Sequence, residues 1–165
     1  MLDTEIQYLP GASIDKTKHA HWEDGSLIVR TKHIPWTPWA LPGTEFKLLD
    51  YDKNHSYSCI LLRISADAPA TIHKHIGAAN AFILEGGFGY EHGAVYEGDF
   101  MCEAGGVTHM PHVFEGGCTL LGFNHGAVAG FSPEGELSGI IDVDWLIEQV
   151  KANNAFDHLA HKEAL

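Results

Sequence analysis

Two histidines separated by one residue, His73 and His75 in Thr71-Ile72-His73-Lys74-His75, are the natural starting point for metal chemistry in this chain. In a strand, residues i and i+2 face the same way, so both imidazoles would stand on one face within reach of a common ion, and Lys74 would turn away. The pair alone is a weak signal. Twelve histidines among 165 residues also produce His19-Ala20-His21, which lies in a polar segment beside Lys16, Lys18, Glu23 and Asp24. A second segment discriminates between the two pairs: Gly98-Asp99-Phe100-Met101-Cys102-Glu103-Ala104-Gly105-Gly106-Val107-Thr108-His109. Gly98-Asp99 marks a turn, the next four residues suit a strand, and a glycine corner re-aims the chain to deliver His109. A third imidazole from a neighbouring strand completes a metal-ligand set. His112, three residues further on, is the rival third ligand, and the Pro111 corner would turn it outward.

Other groups could work beside such an ion. Glu91 follows Tyr90 on the strand after the Leu84 to Gly89 turn, where it could accept a ligand N–H or act as a general base; a solvated outer face is the plainer fate of a strand glutamate. His125 alternates with Phe123 and Leu121, hence lies on an apolar face that could line a cavity or a core. Trp36 and Trp39 could cover the mouth of a site or pack at a subunit interface.

These residues need a scaffold of strands. From Phe46 to Phe131 the chain reads as short β-rich runs separated by Gly, Asp, Asn and Pro: Tyr57 to Ile64, Thr71 to His75, Phe82 to Leu84, Phe88 to Tyr96, Cys118 to Phe123 and Ala127 to Phe131. Turn residues every eight to twelve positions point to a sandwich or barrel, and no βαβ alternation is present. Ten of the 18 glycines fall between Gly77 and Gly117, where tight corners belong. Upstream, Leu27-Ile28-Val29 could form a strand, while three prolines in Ile34 to Gly43 forbid helix and interior strand, which predicts an extended arm. Downstream, Val143, Leu146, Ile147 and Val150 follow helical spacing behind the cap residue Asp142, with a break at Asn153-Asn154.

Composition bounds the function. Apolar residues at 45% and charged residues at 19% are those of an ordinary folding domain. Twenty-two acidic against 10 basic side chains give a formal charge of -12, which repels phosphate backbones and anionic lipid headgroups. We therefore expect no nucleic acid and no membrane partner. Met1 to Glu5 carry no basic, apolar leader, and the expectation is a cytoplasmic protein. Cys59, Cys102 and Cys118 are single and odd in number, which predicts buried free thiols rather than a disulfide framework.

The stretch from about Leu61 to Phe131 resembles the two motifs of the cupin superfamily: His-x-His followed by a Leu-Glu-Gly turn, then Gly-Asp, four residues and Pro-x-Gly-x-x-His. Here these read His73-Lys74-His75, Leu84-Glu85-Gly86, and Gly98-Asp99 through His109. The Pro- and Trp-rich arm, the run Leu84 to Tyr90 and the segment Phe123-Asn124-His125-Gly126-Ala127 are similar to the dihydroxyacetophenone dioxygenase-like group. Acetylacetone-cleaving dioxygenases and the cupin domains of metal-dependent anti-sigma factors are more distant likenesses. The chain departs from the pattern at Ala79 and Asn80, where a carboxylate ligand is usual, and at Asp67 and Ala104, which replace a glycine and a proline.

The resemblance implies an all-β cupin, a double-stranded β-helix or jelly-roll-like barrel, in one domain over 1–165: arm 1–45, barrel core 46–141 and C-terminal helix 142–165. It implies one divalent metal on His73, His75 and His109, with Fe(II) foremost and zinc, nickel or manganese as alternatives. Glu91 and His125 are the expected catalytic side chains. Three neutral imidazoles would leave the ion its full charge and favour a bidentate, anionic oxygen ligand such as an enolate. The function implied is cleavage of a carbon–carbon bond in a small diketone or hydroxyketone by dioxygen. A non-catalytic metal sensor and a zinc isomerase or hydrolase are the alternatives. A homodimer or homotetramer is expected.

Overall fold

The structure is a computed structural model that describes residues 15–164, so the first 14 residues of the expected arm lie outside the described residues. Thirteen strands are described: β1 (Ala20–His21), β2 (Leu27–Ile28), β3 (Thr37–Pro38), β4 (Thr44–Asp52), β5 (Tyr57–Ile64), β6 (Ile72–His75), β7 (Ala79–Tyr90), β8 (Gly93–Tyr96), β9 (Phe100–Glu103), β10 (Thr108–His109), β11 (His112–Asn124), β12 (Val128–Phe131) and β13 (Leu137–Ile141). Helix α1 (Val143–Ala152) and a 3-10 segment (Asp157–Ala164) follow, with the break at Asn153-Asn154 that the sequence predicts. No helix among the described residues is long and apolar enough to cross a membrane.

Eleven of these strands form an all-β cupin of two sheets rather than one closed cylinder, and β1 and β2 pair separately as a two-stranded ribbon. A large sheet runs β3-β4-β5-β11-β7-β8, with β9 also on β7; a small sheet runs β10-β6-β12-β13. All their pairings are antiparallel, as expected of a fold built from hairpins and sheet-crossing turns. The hairpin from β4 to β5 closes through Asp52, whose carboxylate accepts the Asn54 N–H at 2.9 Å. The predicted runs Phe82 to Leu84 and Phe88 to Tyr96 merge into the long β7 and its partner β8, because Gly86 and Gly87 keep the strand continuous through a kink. At Gly86 the backbone φ is +68°, and a Cβ would meet the Gly117 carbonyl oxygen at 2.0 Å. Only glycine fits there.

Alternation along the large sheet decides what faces inward. Register places Leu62 beside Leu120 and Ile60 beside Gly122, and then Leu120 beside Ile83 and Gly122 beside Ala81. One core cluster joins Ile83, Phe88, Met101, Cys118 and Leu120. A second joins Phe46, Leu48 and Ile60 to the buried stripe Val143, Leu146, Ile147 and Val150 of α1. The helix starts at Asp142, whose carboxylate accepts the Trp145 N–H at 2.8 Å, and its apolar side covers β4. Trp39 packs edge-on against Phe46 and Trp145 at 5.1 and 5.6 Å. Trp36 lies between the cationic ends of Lys47 and Arg63 at 4.5 and 4.3 Å. Both arm tryptophans thus find their partners within the chain. Cys59 and Cys118 are buried free thiols, each pushed up to about 11 by burial. Cys102 corrects the expectation: it is exposed, since it falls on the outer side of β9.

Candidate metal centre

The small sheet sets two histidines side by side. His73 on β6 stands opposite His109 on β10, so the imidazoles meet across adjacent strands although 36 residues separate them. The glycine corner makes this register possible: the Gly106 N–H donates to the His75 carbonyl at 2.7 Å, and the His75 N–H donates to the Val107 carbonyl at 3.0 Å. His73, His75 and His109 then present ligand atoms that all lie within 4.8 Å of one another. His109 Nε2 is 2.7 Å from His73 Nε2 and 3.1 Å from His75 Nε2. His75 and His109 are buried, at 8% and 3% exposure.

The donor set fits a cation. His73 Nδ1 lies 3.3 Å from the Thr71 carbonyl, and His109 Nδ1 lies 3.0 Å from a carboxylate oxygen of Glu103. The Thr71 carbonyl only accepts, which places the His73 ring proton on Nδ1 and leaves a lone pair on its Nε2. That lone pair faces His109 Nε2 at 2.7 Å in a buried pocket, so a proton or a shared cation must lie between the two nitrogens. The three rings, His73, His75 and His109, would be the residues to hold a divalent ion here. Burial, followed by the positive charge that His109 and His75 can carry, lowers His73 to about 4. Its imidazole is therefore neutral, and available as a ligand, at neutral pH.

Glu103 is the residue that the sequence reading missed. It is 9% exposed, on β9 of the large sheet, with Oε2 3.0 Å from His75 Nε2 and Oε1 3.0 Å from His109 Nδ1. The second contact is off the line of a hydrogen bond, and neither of its atoms has another partner. Burial pushes the carboxyl up, but the two imidazoles outweigh it and hold Glu103 at about 2. The carboxylate expected beside the histidines is Glu91, and the one that stands there is Glu103; the three histidines themselves come together. The usual positions after His-x-His are empty of acid, at Ala79 and Asn80, yet Glu103 stands in register with Ala79 and reaches the site from a different strand. Its signal was available: Met101 and Glu103 alternate on one face of a four-residue strand, so an inward Met101 implies an inward Glu103.

The other expected residues are not gathered here. Glu91 is exposed just past the end of β7 and accepts the Met110 N–H at 3.2 Å. His125 is exposed in the turn between β11 and β12, its ring 5.8 Å from that of Tyr57. Leu120 and Gly122 border the cavity beside the histidines, so Leu121, Phe123 and His125 belong to the opposite side of the strand. His112 is exposed at the start of β11, as the Pro111 corner suggested. His158 is buried and bonded through Nε2 to the Leu48 carbonyl at 2.8 Å, a packing role.

The histidines open onto a cavity of about 530 Å³ between the sheets, bordered by His73, His75, Glu103 and His109 at one wall. This arrangement resembles several known proteins. The model of the ChrR cupin-like domain family matches residues 24–129. An acetylacetone dioxygenase from Acinetobacter johnsonii superposes with a TM-score of 0.68 at 16% identity, covering 84% of this chain and 99% of that one. A putative acetylacetone dioxygenase from Methylibium petroleiphilum PM1 gives a TM-score of 0.67 at 16% identity, covering 90% and 97%. An RmlC-like cupin from Ralstonia eutropha JMP134 gives 0.69 at 15% identity, covering 74% and 83%. At such identities the likeness is one of fold. No curated protein matches the chain. The family match spans all three strands that carry the histidine cluster and Glu103, β6, β9 and β10, so these elements belong to a shared scaffold, and the chain is a member of the ChrR cupin-like domain family.

Proposed function

We propose that the protein is a non-heme, Fe(II)-dependent dioxygenase that splits a carbon–carbon bond in a diketone or hydroxyketone, with His73, His75 and His109 holding the metal. The observation that carries this reading is the convergence of three Nε2 atoms on one wall of a cavity large enough for an organic substrate. Bound Fe(II) supplies a Lewis acid for a chelating pair of oxygens and an electron source for dioxygen.

The chain's own residues define what that substrate should be. The ionised Glu103 beside three neutral imidazoles leaves a divalent ion one net positive charge in a buried site. A monoanion neutralises it, and an enolate is the monoanion that a diketone or hydroxyketone forms most readily. Glu103 also lies 3.0 Å from His109 Nδ1, so its negative charge bears directly on that ring. Apolar walls exclude water and strengthen these electrostatic contacts. The cavity speaks against a sealed regulatory centre, since space for a ligand lies directly beside the histidines.

The test is oxygen uptake by iron-loaded protein across a panel of 1,3-diketones and hydroxyacetophenones. Uptake with at least one member is expected. Full iron occupancy without uptake across the panel overturns the assignment. Zinc in protein purified without added metal, together with oxygen-independent turnover, would identify an isomerase or hydrolase instead.

A further inference from the structure

The cavity says more about the ligand than the histidines do. In the small sheet, His109, His73, Gly130 and Gly139 lie in one register row. The two ring ligands are thus followed, strand by strand, by two positions without side chains. In the large sheet, Ala81 stands opposite Gly122, and both border the same space. The room beside the histidines is therefore created by small residues at paired inward positions of both sheets, not by loose packing. Beyond those positions the walls are mainly apolar, with Leu62 and Leu120 from the large sheet, Val128 and Ile141 from the small one, and Trp39 and Trp145 from the arm and helix; Asn80, Asn124 and Ser138 are polar exceptions. Among the described residues, no lysine or arginine borders the cavity, and Glu103 is its only carboxylate.

We infer that the ligand of this site is a ketone or diketone carrying a substantial apolar body, an alkyl chain or aryl ring, that lies between the sheets and reaches toward Trp39 and Trp145. The oxygen-bearing head rests on the function proposed above; the apolar body rests on the cavity alone. A volume of about 530 Å³ lies in the range of sites for drug-sized ligands, roughly 300–1,000 Å³, and a diketone as small as pentane-2,4-dione leaves most of it vacant. Phosphorylated ligands are disfavoured, because no lysine or arginine among the described residues borders the cavity to pair with a phosphate.

A homologous series decides the matter. Alkane-2,4-diones from pentane to dodecane, together with 1-phenylbutane-1,3-dione, are titrated into the full chain, metal-loaded and after chelation, and binding is read from tryptophan fluorescence and calorimetry. The dissociation constant is expected to fall about fourfold for each added methylene until the cavity is filled, as complete transfer of each group from water predicts. The fall should persist without metal, with a negative heat-capacity change. Ala81→Leu, checked for folding by circular dichroism, should end the fall at a shorter chain; the wild-type series stands even where this variant does not fold. A dissociation constant flat with chain length, or glucose 6-phosphate binding more tightly than the longest dione, overturns the inference. Chain-length-dependent binding without oxygen uptake leaves the inference standing and removes the dioxygenase, so the two claims fail separately.

Discussion

Replacing Glu103 by glutamine removes one charge from the candidate metal centre while keeping the shape of the side chain. The carboxylate touches His75 Nε2 and His109 Nδ1, each at 3.0 Å, and is held at about 2 against an ordinary 4.5. That difference corresponds to about 3 kcal/mol of preference for the charged form in the folded protein. The folded value is the depressed one, so this stabilisation is complete above pH 4.5 and disappears as the pH falls from 4.5 to about 2. His73 behaves differently: its folded value of about 4 lies below the ordinary 6.5, so burial of the neutral ring costs stability as pH falls from 6.5 to about 4. The His73 limb is common to wild type and variant and cancels, to first order, in their difference. Urea unfolding of chelated protein, followed at pH steps from 8 to 2, should show the wild type more stable by up to about 3 kcal/mol above pH 4.5. The two proteins should converge near pH 2. In the presence of metal, loss of the carboxylate that lies 3.0 Å from both His75 and His109 should weaken binding about 10–100-fold. A pH-independent difference, combined with unchanged metal affinity, would refute the role assigned to Glu103.

Two further substitutions separate the ligand assignment from the scaffold. His109→Ala should abolish stoichiometric metal binding, measured by elemental analysis of purified protein, whereas His112→Ala should retain it because His112 faces solvent; full occupancy in His109→Ala refutes the ligand set. Asp142→Ala removes the acceptor for the Trp145 N–H and should cost about 0.5–2 kcal/mol of stability in thermal or chemical unfolding, with a shift in tryptophan emission as the helix start loosens.

The parts of this structure that could be read in advance are those governed by local rules. His73 and His75 share a face through period-two geometry, β5 spans the predicted Tyr57–Ile64, and α1 buries the four residues that its spacing marked. His109 is different in kind. Its meeting with His73 depends on a register set between distant strands, which motif spacing signals but local pattern does not. β4 was overlooked because Lys47, Asp50 and Asp52 interrupt its apolar alternation, yet Lys47 is buried and donates to the Thr31 carbonyl at 2.8 Å. β13 was overlooked because Leu137–Ile141 is short, centred on glycine and largely exposed. His125 was misplaced by the same reasoning that should have found Glu103. The face shared by Leu121 and Phe123 is apolar but faces away from the cavity, whereas Met101 and Glu103 share the inward one.

Chemistry and specificity are divided between the sheets. The small sheet supplies all three imidazoles, and the large sheet supplies the one carboxylate that touches them, so the charged centre spans the gap that a ligand must enter. The residues that hold this gap open, Ala81, Gly122, Gly130 and Gly139, lie on four strands, and only Gly130 stands beside a histidine in register. Cavity shape can therefore change by adding a few carbons at these positions while the histidine cluster stays as it is. Relatives with the same three histidines but larger residues at these positions would hold shorter ligands. Shared histidines alone thus indicate a common site for an ion, and the small residues around them indicate what else fits.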